Sequence, residues 1–256
     1  MQDTIILSLE HVSKSFAKIE HDTVTHALDD INLSLKKGEF VSLLGPSGCG
    51  KSTILRLVAG LIPPTQGQVM AEGKKIEKQG PDRGMVFQAP TLFPWLTVED
   101  NVAFSLKLKN DFKAGDTRVA KMIKMIGLEN FKDDYPGQLS GGMAQRVALV
   151  RALIAEPNIL LLDEPLGALD AFTRMNMQDE ILKIWQERKQ LILMVTHDVD
   201  EAIYMSTRVI VMTPNPGKIR DDINIELPYP RERASDEFIE YRKKILNELH
   251  LGGKHE

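Results

Sequence analysis

The sequence lacks most of what would fasten a chain covalently or set it in a bilayer. It has a single cysteine, Cys49, so no internal disulfide can form, which fits a reducing compartment. No apolar run approaches the roughly 18 residues that a membrane-spanning helix needs, and the longest, at 159–162 and 191–195, have the length of buried parallel strands. Aromatic residues make up 6% of the chain and the net charge is −4, a balance that gives no electrostatic reason to expect nucleic acid. The start of the chain alternates Ile5, Leu7 and Leu9 and has no basic-then-apolar segment, so no targeting segment is expected. Any contact with a membrane would then pass through a partner protein.

The 256 residues present are enough for one large α/β domain, or one domain with a subdomain. Residues 4–9 and 31–35 alternate as short strands, and 40–44 leads straight into a glycine-rich loop. Pro63, Pro64 and Gly67 punctuate the chain after a first helix, and 68–70 and 85–87 have strand character. From 91 to 135 the texture turns helical, over 100–108 and over 117–126, where Val119, Met122, Ile123 and Ile126 recur at helical spacing. This stretch reads as a helical insertion between two halves of a parallel sheet. A helix over 140–155 has to stop before Pro157, because the residue preceding proline disfavours helical backbone. Strands at 159–162, 191–196 and 209–212 then alternate with helices near 173–189 and 200–206. After Pro214-Asn-Pro-Gly217 the chain is polar and closes with an amphipathic helix from near Ser235, with Phe238, Tyr241, Ile245 and Leu249 on one stripe.

Two glycine-rich loops each open a helix. In the first, Gly45-Pro46-Ser47-Gly48-Cys49-Gly50-Lys51-Ser52-Thr53 follows an apolar strand and matches the phosphate-binding P-loop pattern. Its glycines let backbone N–H groups converge on phosphate oxygens, and the helix N-terminus adds its positive end. Lys51 is expected to reach the β- and γ-phosphates and Ser52 to give its hydroxyl to Mg²⁺. Cys49 is expected to pack as a small residue in the loop, a redox sensor being the alternative. Ile159-Leu-Leu-Leu-Asp163-Glu164-Pro165 puts two carboxylates at the C-terminal end of a buried strand, where α/β sheets bind ligands. Asp163 is placed to hold the Mg²⁺ shell and Glu164 to polarise an attacking water as general base, the alternative being a solvated acidic strand end. The second loop, Leu139-Ser-Gly-Gly-Met-Ala-Gln-Arg146, has no use in a simple kinase or GTPase. There Ser140 is an N-cap candidate, and Gly141 and Gly142 bring bare N–H groups to another helix N-terminus.

The order and spacing of these motifs, with His197 after them, resemble the ATP-binding subunits of ABC transporters over nearly the whole chain. The resemblance implies a P-loop NTPase of ABC ATPase type, with a mainly parallel sheet core, an N-terminal antiparallel β part and a helical insertion. It divides a single domain over 1–256 into a core lobe (1–90 and 155–213), a helical subdomain with the signature (91–154) and a short tail (214–256). Gln88 fits the Q-loop, sensing Mg²⁺ and the γ-phosphate, Leu166-Gly-Ala-Leu-Asp170 fits the D-loop, and His197 fits the switch histidine beside Glu164. Phe16 matches the aromatic position that stacks on adenine, with a plain core phenylalanine as the alternative. Ser140, Gly141 and Gly142 are implied to face the γ-phosphate held by a second copy, so that ATP is sandwiched in a homodimer, and Asp170 is implied to touch that copy's P-loop region. The family's commonest fifth signature residue is Gln, and Met143 departs from it without removing a donor.

The resemblance also implies two membrane permease subunits, indirectly a substrate-binding protein, and a peripheral place on the cytoplasmic face of the inner membrane. Phe93, Trp95 and Leu96, just beyond Gln88, are candidates for the socket that receives the permease, against an internally packed loop. The Leu-Phe-Pro-Trp-Leu-Thr-Val wording resembles importers of nitrate, sulfonate, taurine and bicarbonate, a group that includes importers of pyrimidine vitamin precursors. A soluble ABC ATPase acting on ribosomes or DNA and a small-molecule P-loop kinase are the competing classes. The first usually needs two cassettes or a long coiled coil, and the second leaves the second glycine loop without purpose.

Overall fold

The computed structural model describes residues 4–18, 23–113 and 116–250, so the first three and last six residues of the expected 1–256 domain lie outside the described residues. The chain forms two compact units. One comprises the chain up to Gly80 and again from Lys189 onward, and the other comprises Pro81–Arg188.

The first unit opens with an antiparallel pair, β1 (Ile5–Lys18) and β2 (Thr23–Lys36). β1 pairs on its other side with β4 (Gln66–Ala71), which carries β5 (Lys74–Lys75), in the order β2-β1-β4-β5. Both long strands outrun the alternating segments visible in sequence. Register shifts interrupt the β1–β2 ladder, and His11 and Asp30 adopt left-handed backbone with φ of 51° and 50°, which breaks the period-two pattern.

The unit's second sheet is built on β3 (Phe40–Leu44), flanked in parallel by β8 (Leu191–Val195) and β9 (Arg208–Thr213). Every residue of β3 and β8 is buried, which is why they read as continuous apolar runs rather than alternating ones. Helices α1 (Lys51–Val58) and α6 (Val199–Met205) follow β3 and β8. β10 (Lys218–Asn224) pairs antiparallel with β9 and was not expected from sequence, being polar on its open face. The closing helix α7 (Asp236–His250) buries Phe238 and Ile245 against Ala202, Ile203, Val209 and Ile223, with Tyr241 and Leu249 packed at the margin. The tail is further held by Arg231, a buried guanidinium that donates to the carbonyls of Leu227, Ile203 and Ser206, and by Arg242, bound through two nitrogens to Asp200 at 2.6 and 2.7 Å.

The second unit pairs β6 (Arg83–Val86) in parallel with β7 (Ile159–Asp163) and adds α2 (Val98–Leu108), α3 (Thr117–Met125), α4 (Gly141–Leu153) and α5 (Ala171–Arg188). Thr97 caps α2, its hydroxyl accepting from the Asp100 N–H at 3.2 Å, and Asp116 caps α3 in the same way through the Arg118 N–H at 2.9 Å. Among the described residues no helix is long and apolar enough to cross a membrane.

In each unit parallel pairing delivers loops to a common edge. Leu43 lies opposite Val195 in the first unit, and Val86 lies opposite Leu162 in the second. The segments after β3 and β8 therefore leave together, as do those after β6 and β7.

Candidate functional site

Pro46, Ser47 and Gly48 form the exposed crest of the first loop, while Gly45 and Cys49 are buried beneath it. Gly48 and Gly50 have φ of 78° and 89°, a region that other residues enter only at a cost. Space also matters, because a methyl group built at Gly45 would lie 2.7 Å from the Met212 carbonyl oxygen, and one at Gly50 would lie 2.4 Å from Leu28 Cδ2. At Gly48 nothing lies within 4 Å, so that face is open to a ligand. Gly50 precedes α1, which starts at Lys51 and has no side-chain cap, leaving an N-terminus suited to an anion. The Lys51 ammonium is buried and donates to the carbonyls of Gly45 and Pro46 at 2.7 and 2.9 Å. Ser52 and Thr53 follow in the first turn, half-buried. Burial pushes the Cys49 thiol above its usual range against the pull of the Lys51 ammonium, so it remains a thiol and packs as the small residue expected there.

In the same unit Thr196 donates its N–H to the Leu43 carbonyl at 3.3 Å, fastening the start of the histidine loop to the strand that carries the glycine loop. His197 is exposed between β8 and α6, and Asp198 caps α6 by accepting from the Glu201 N–H at 3.1 Å. Phe16 is 39% exposed on β1 with the Lys14 ammonium 5.1 Å from its ring centroid, so it presents a flat surface instead of filling the core.

In the second unit Asp163 ends β7 buried, and Glu164 follows with φ 45°, left-handed backbone that turns its side chain sharply off the strand. The exposed Gln88, just past β6, donates from Nε2 to Glu164 Oε2 at 3.1 Å. Sequence separation between these two is large, and the parallel register of β6 and β7 is what joins them. Ser140 caps α4, its hydroxyl accepting from the Met143 N–H at 3.2 Å. Gly141 has nothing within 4 Å of a built methyl group, whereas one at Gly142 would lie 3.2 Å from the Ala168 carbonyl oxygen. The signature turn thus has an open face at Gly141 and a closed one against the segment that ends at Asp170. Asp170 caps α5, accepting from the Phe172 and Thr173 N–H groups at 3.1 and 3.0 Å, and these bonds, with the Thr173 hydroxyl foremost, hold its carboxyl below the usual range.

A family model described as ABC transporter matches residues 28–167. The chain is 52% identical over 244 residues to an uncharacterised ABC transporter ATP-binding protein of Methanocaldococcus jannaschii, a match covering 95% of this chain and 91% of the relative. The chain belongs to the ABC transporter family. It is also 47% identical over 247 residues to the aliphatic sulfonates import ATP-binding protein SsuB of Bacillus cereus, covering 96% of this chain and 97% of that one. Among solved structures, a dimeric ATP-binding cassette in a post-hydrolysis state with ADP and Pi is similar with a TM-score of 0.76 at 34% identity, over 87% of this chain and 100% of that chain. This ABC protein is therefore an ATPase with the P-loop NTPase fold.

Several supporting contacts of the cassette escape a motif reading. Gln145, buried on α4, donates to the Phe87 carbonyl at 3.2 Å and so ties the signature helix to the residue before Gln88. Asn101 accepts from the Phe93 N–H at 2.9 Å and donates to the carbonyls of Phe93, Leu96 and Thr97. Arg151 donates to the Thr91 carbonyl at 2.8 Å and stacks its guanidinium 5.1 Å from the Phe93 ring centroid. Phe93 and Leu96 are half-buried parts of this knot, while Trp95 stands on it 70% exposed. The only sequence signal for such a role is that Asn101 and Arg151 are polar residues on helices otherwise apolar at those faces.

Asp170 offers a test of capping alone. Asp170→Ala is expected to lower the denaturant midpoint of unfolding, and Asp170→Asn, which retains the capping oxygen, to stay close to wild type. Denaturant melts of the two variants check this, and equal losses in both would show that charge, not capping, is what the position supplies.

Proposed function

We propose that the chain is the ATP-hydrolysing subunit of an importer that takes up a small sulfonate-like anion through a membrane permease. The observation that carries the substrate class is the 47% identity, over 96% of the chain, to the aliphatic sulfonates import protein of Bacillus cereus. In this reading two copies pair, and each glycine loop at 45–53 faces the other copy's Ser140, Gly141 and Gly142, an arrangement supported by the dimeric form of the similar cassette. Two permease subunits dock on the surface that carries Trp95, a substrate-binding protein delivers the anion, and the subunit lies peripherally on the cytoplasmic face of the inner membrane. The ATPase core comprises 1–90 and 155–213, the signature subdomain 91–154 and the tail 214–256.

Each residue's chemistry suits its role. Lys51 exchanges the Gly45 and Pro46 carbonyls for phosphate oxygens, which are stronger partners for an ammonium. Phe16, partly exposed on β1, supplies an aromatic ring for adenine to stack on. The Ser52 hydroxyl, the Asp163 carboxylate and the Gln88 amide are hard oxygen donors of the kind Mg²⁺ takes, and among the described residues no cluster of three His, Cys, Asp or Glu forms a cage. That pattern suits an ion held largely by phosphates, whose charge it would offset when bound. Glu164, steadied by the Gln88 amide, accepts the proton of the attacking water as its oxygen bonds to the γ-phosphorus and the bond to ADP breaks. His197 holds the γ-phosphate and Asp170 approaches the partner copy's P-loop.

Glu164→Gln is expected to reduce hydrolysis by ~10²–10⁴-fold while leaving ATP binding intact, whereas Lys51→Ala is expected to weaken binding itself. Radiolabelled nucleotide binding beside a phosphate-release assay separates the two, and undiminished release by Glu164→Gln would remove that residue from the role of base. For the cargo, deletion of the gene is expected to abolish growth on an alkanesulfonate as sole sulfur source and spare growth on sulfate. Intact growth on the sulfonate, with loss on nitrate or a pyrimidine vitamin precursor, would reassign the substrate.

A further inference from the structure

The turn joining β9 to β10 reaches the nucleotide loop, and Gly217 is where the two meet. A methyl group built at Gly217 would sit 2.2 Å from the Cys49 carbonyl oxygen and 2.9 Å from that of Ala27. Gly217 is not among the glycines with left-handed φ, so glycine is needed here for space and not for backbone freedom. Two hydrogen bonds lock the turn in place: the Gly217 N–H donates to the Ala27 carbonyl, and the Asp29 N–H donates to the Gly217 carbonyl, each at 3.0 Å. The same stretch of β2 closes on the loop from its side, since Leu28 and Ala27 are what a methyl group at Gly50 would strike.

The consequence lies in one peptide plane. A trans peptide is planar, so the Cys49 carbonyl oxygen and the Gly50 N–H point in opposite directions. Gly50, at φ 89°, is flanked by the soft dihedrals of a residue without a side chain, and nothing within it resists rotation of that plane. The wall formed by Gly217 against the Cys49 carbonyl does resist it. Donors that are already aimed cost less to order when a ligand arrives.

We propose that Gly217 is a positioning residue for the nucleotide loop: by backing the Cys49 carbonyl it sets the direction of the Gly50 N–H that meets phosphate. This rests on the reading of residues 45–53 as the ATP loop. The segment after β9, outside every motif of the family, is on this account part of the nucleotide site.

Steady-state hydrolysis and ATP binding are to be measured for wild type, Gly217→Ala, Lys218→Ala and Lys51→Ala. Gly217→Ala is expected to raise the KM for ATP about tenfold with kcat at saturation held within about twofold. Lys218→Ala, which removes only the exposed ion pair with Asp29 at 2.8 Å, is expected to match wild type. A merely destabilised hairpin would lower the active fraction, and so kcat, with KM unchanged, and that result or a wild-type KM overturns the proposal. Normal ATP binding by Lys51→Ala would remove the reading of the loop and the proposal with it. Lost binding there beside a wild-type Gly217→Ala would remove the proposal alone. Should Gly217→Ala not fold, amide exchange in the wild-type protein decides. ADP is expected to slow exchange at Gly217 and Asp29 together with the loop, and unchanged rates at both positions overturn the proposal.

Discussion

A phosphate loop works through backbone N–H groups, and backbone that must be bare of side chains cannot aim itself. The glycines that let residues 45–50 fold inward also leave the loop without internal stiffness, with Gly48 and Gly50 in left-handed conformation. Rigidity has to come from neighbours, and the first unit supplies it from three directions: β2 at Ala27 and Leu28, the end of β9 at Met212, and the turn at Gly217. Each stands against backbone of the loop or against its glycines, β2 through the Leu28 side chain and the Ala27 carbonyl, β9 chiefly through the Met212 carbonyl, and the turn through Gly217. The fully buried β3 holds the loop's entry, and α1 holds its exit with the N-terminal dipole facing the crest. Even Cys49 contributes by being small and apolar in effect, its thiol kept protonated by burial.

The second unit solves a different problem, which is to hold two carboxylates apart in function. Asp163 stays at the buried end of β7, while Glu164 is turned out by its left-handed backbone and met by Gln88. Gln88 is itself tied back, because Gln145 of α4 grips the carbonyl of Phe87 next to it. The signature helix, the Q-loop and the carboxylate strand are therefore linked through hydrogen bonds that join the first turns of α4 to the end of β6. Asn101 and Arg151 extend the linkage to the crest that carries Trp95.

What could be read from residues alone divides along a physical line. β3, β7 and β8 are buried on both faces, so their apolar runs marked them clearly, and the motifs at their C-terminal ends were legible with them. β10 was not legible: Lys-Ile-Arg-Asp-Asp-Ile-Asn is an edge strand whose register shift between Ile219 and Asp221 spoils the alternation, leaving only Ile223 buried. The same cause hid the length of β1 and β2. The Asp170 cap was within reach of sequence, since Asp before a helical run is a known start signal, whereas the D-loop resemblance implies only a contact with the partner copy there. Gly217, Gln145 and Arg151 were beyond reach. Their roles consist of contacts with backbone far away in sequence, and a carbonyl leaves no mark on composition or period.

The open face at Gly141 and the open crest at Gly48 suggest that each half-site is finished by a second copy, and that claim is the centre of the account. It can be tested by mixing two inactive variants, Lys51→Ala and Ser140→Arg, each of which breaks both sites of its own homodimer. A mixed pair still has one site with an intact glycine loop from one chain and an intact signature from the other. The account predicts that hydrolysis by the mixture rises well above that of either variant alone. No recovery on mixing, with mixed pairs demonstrated in solution, would contradict it and place both loops on the same ATP.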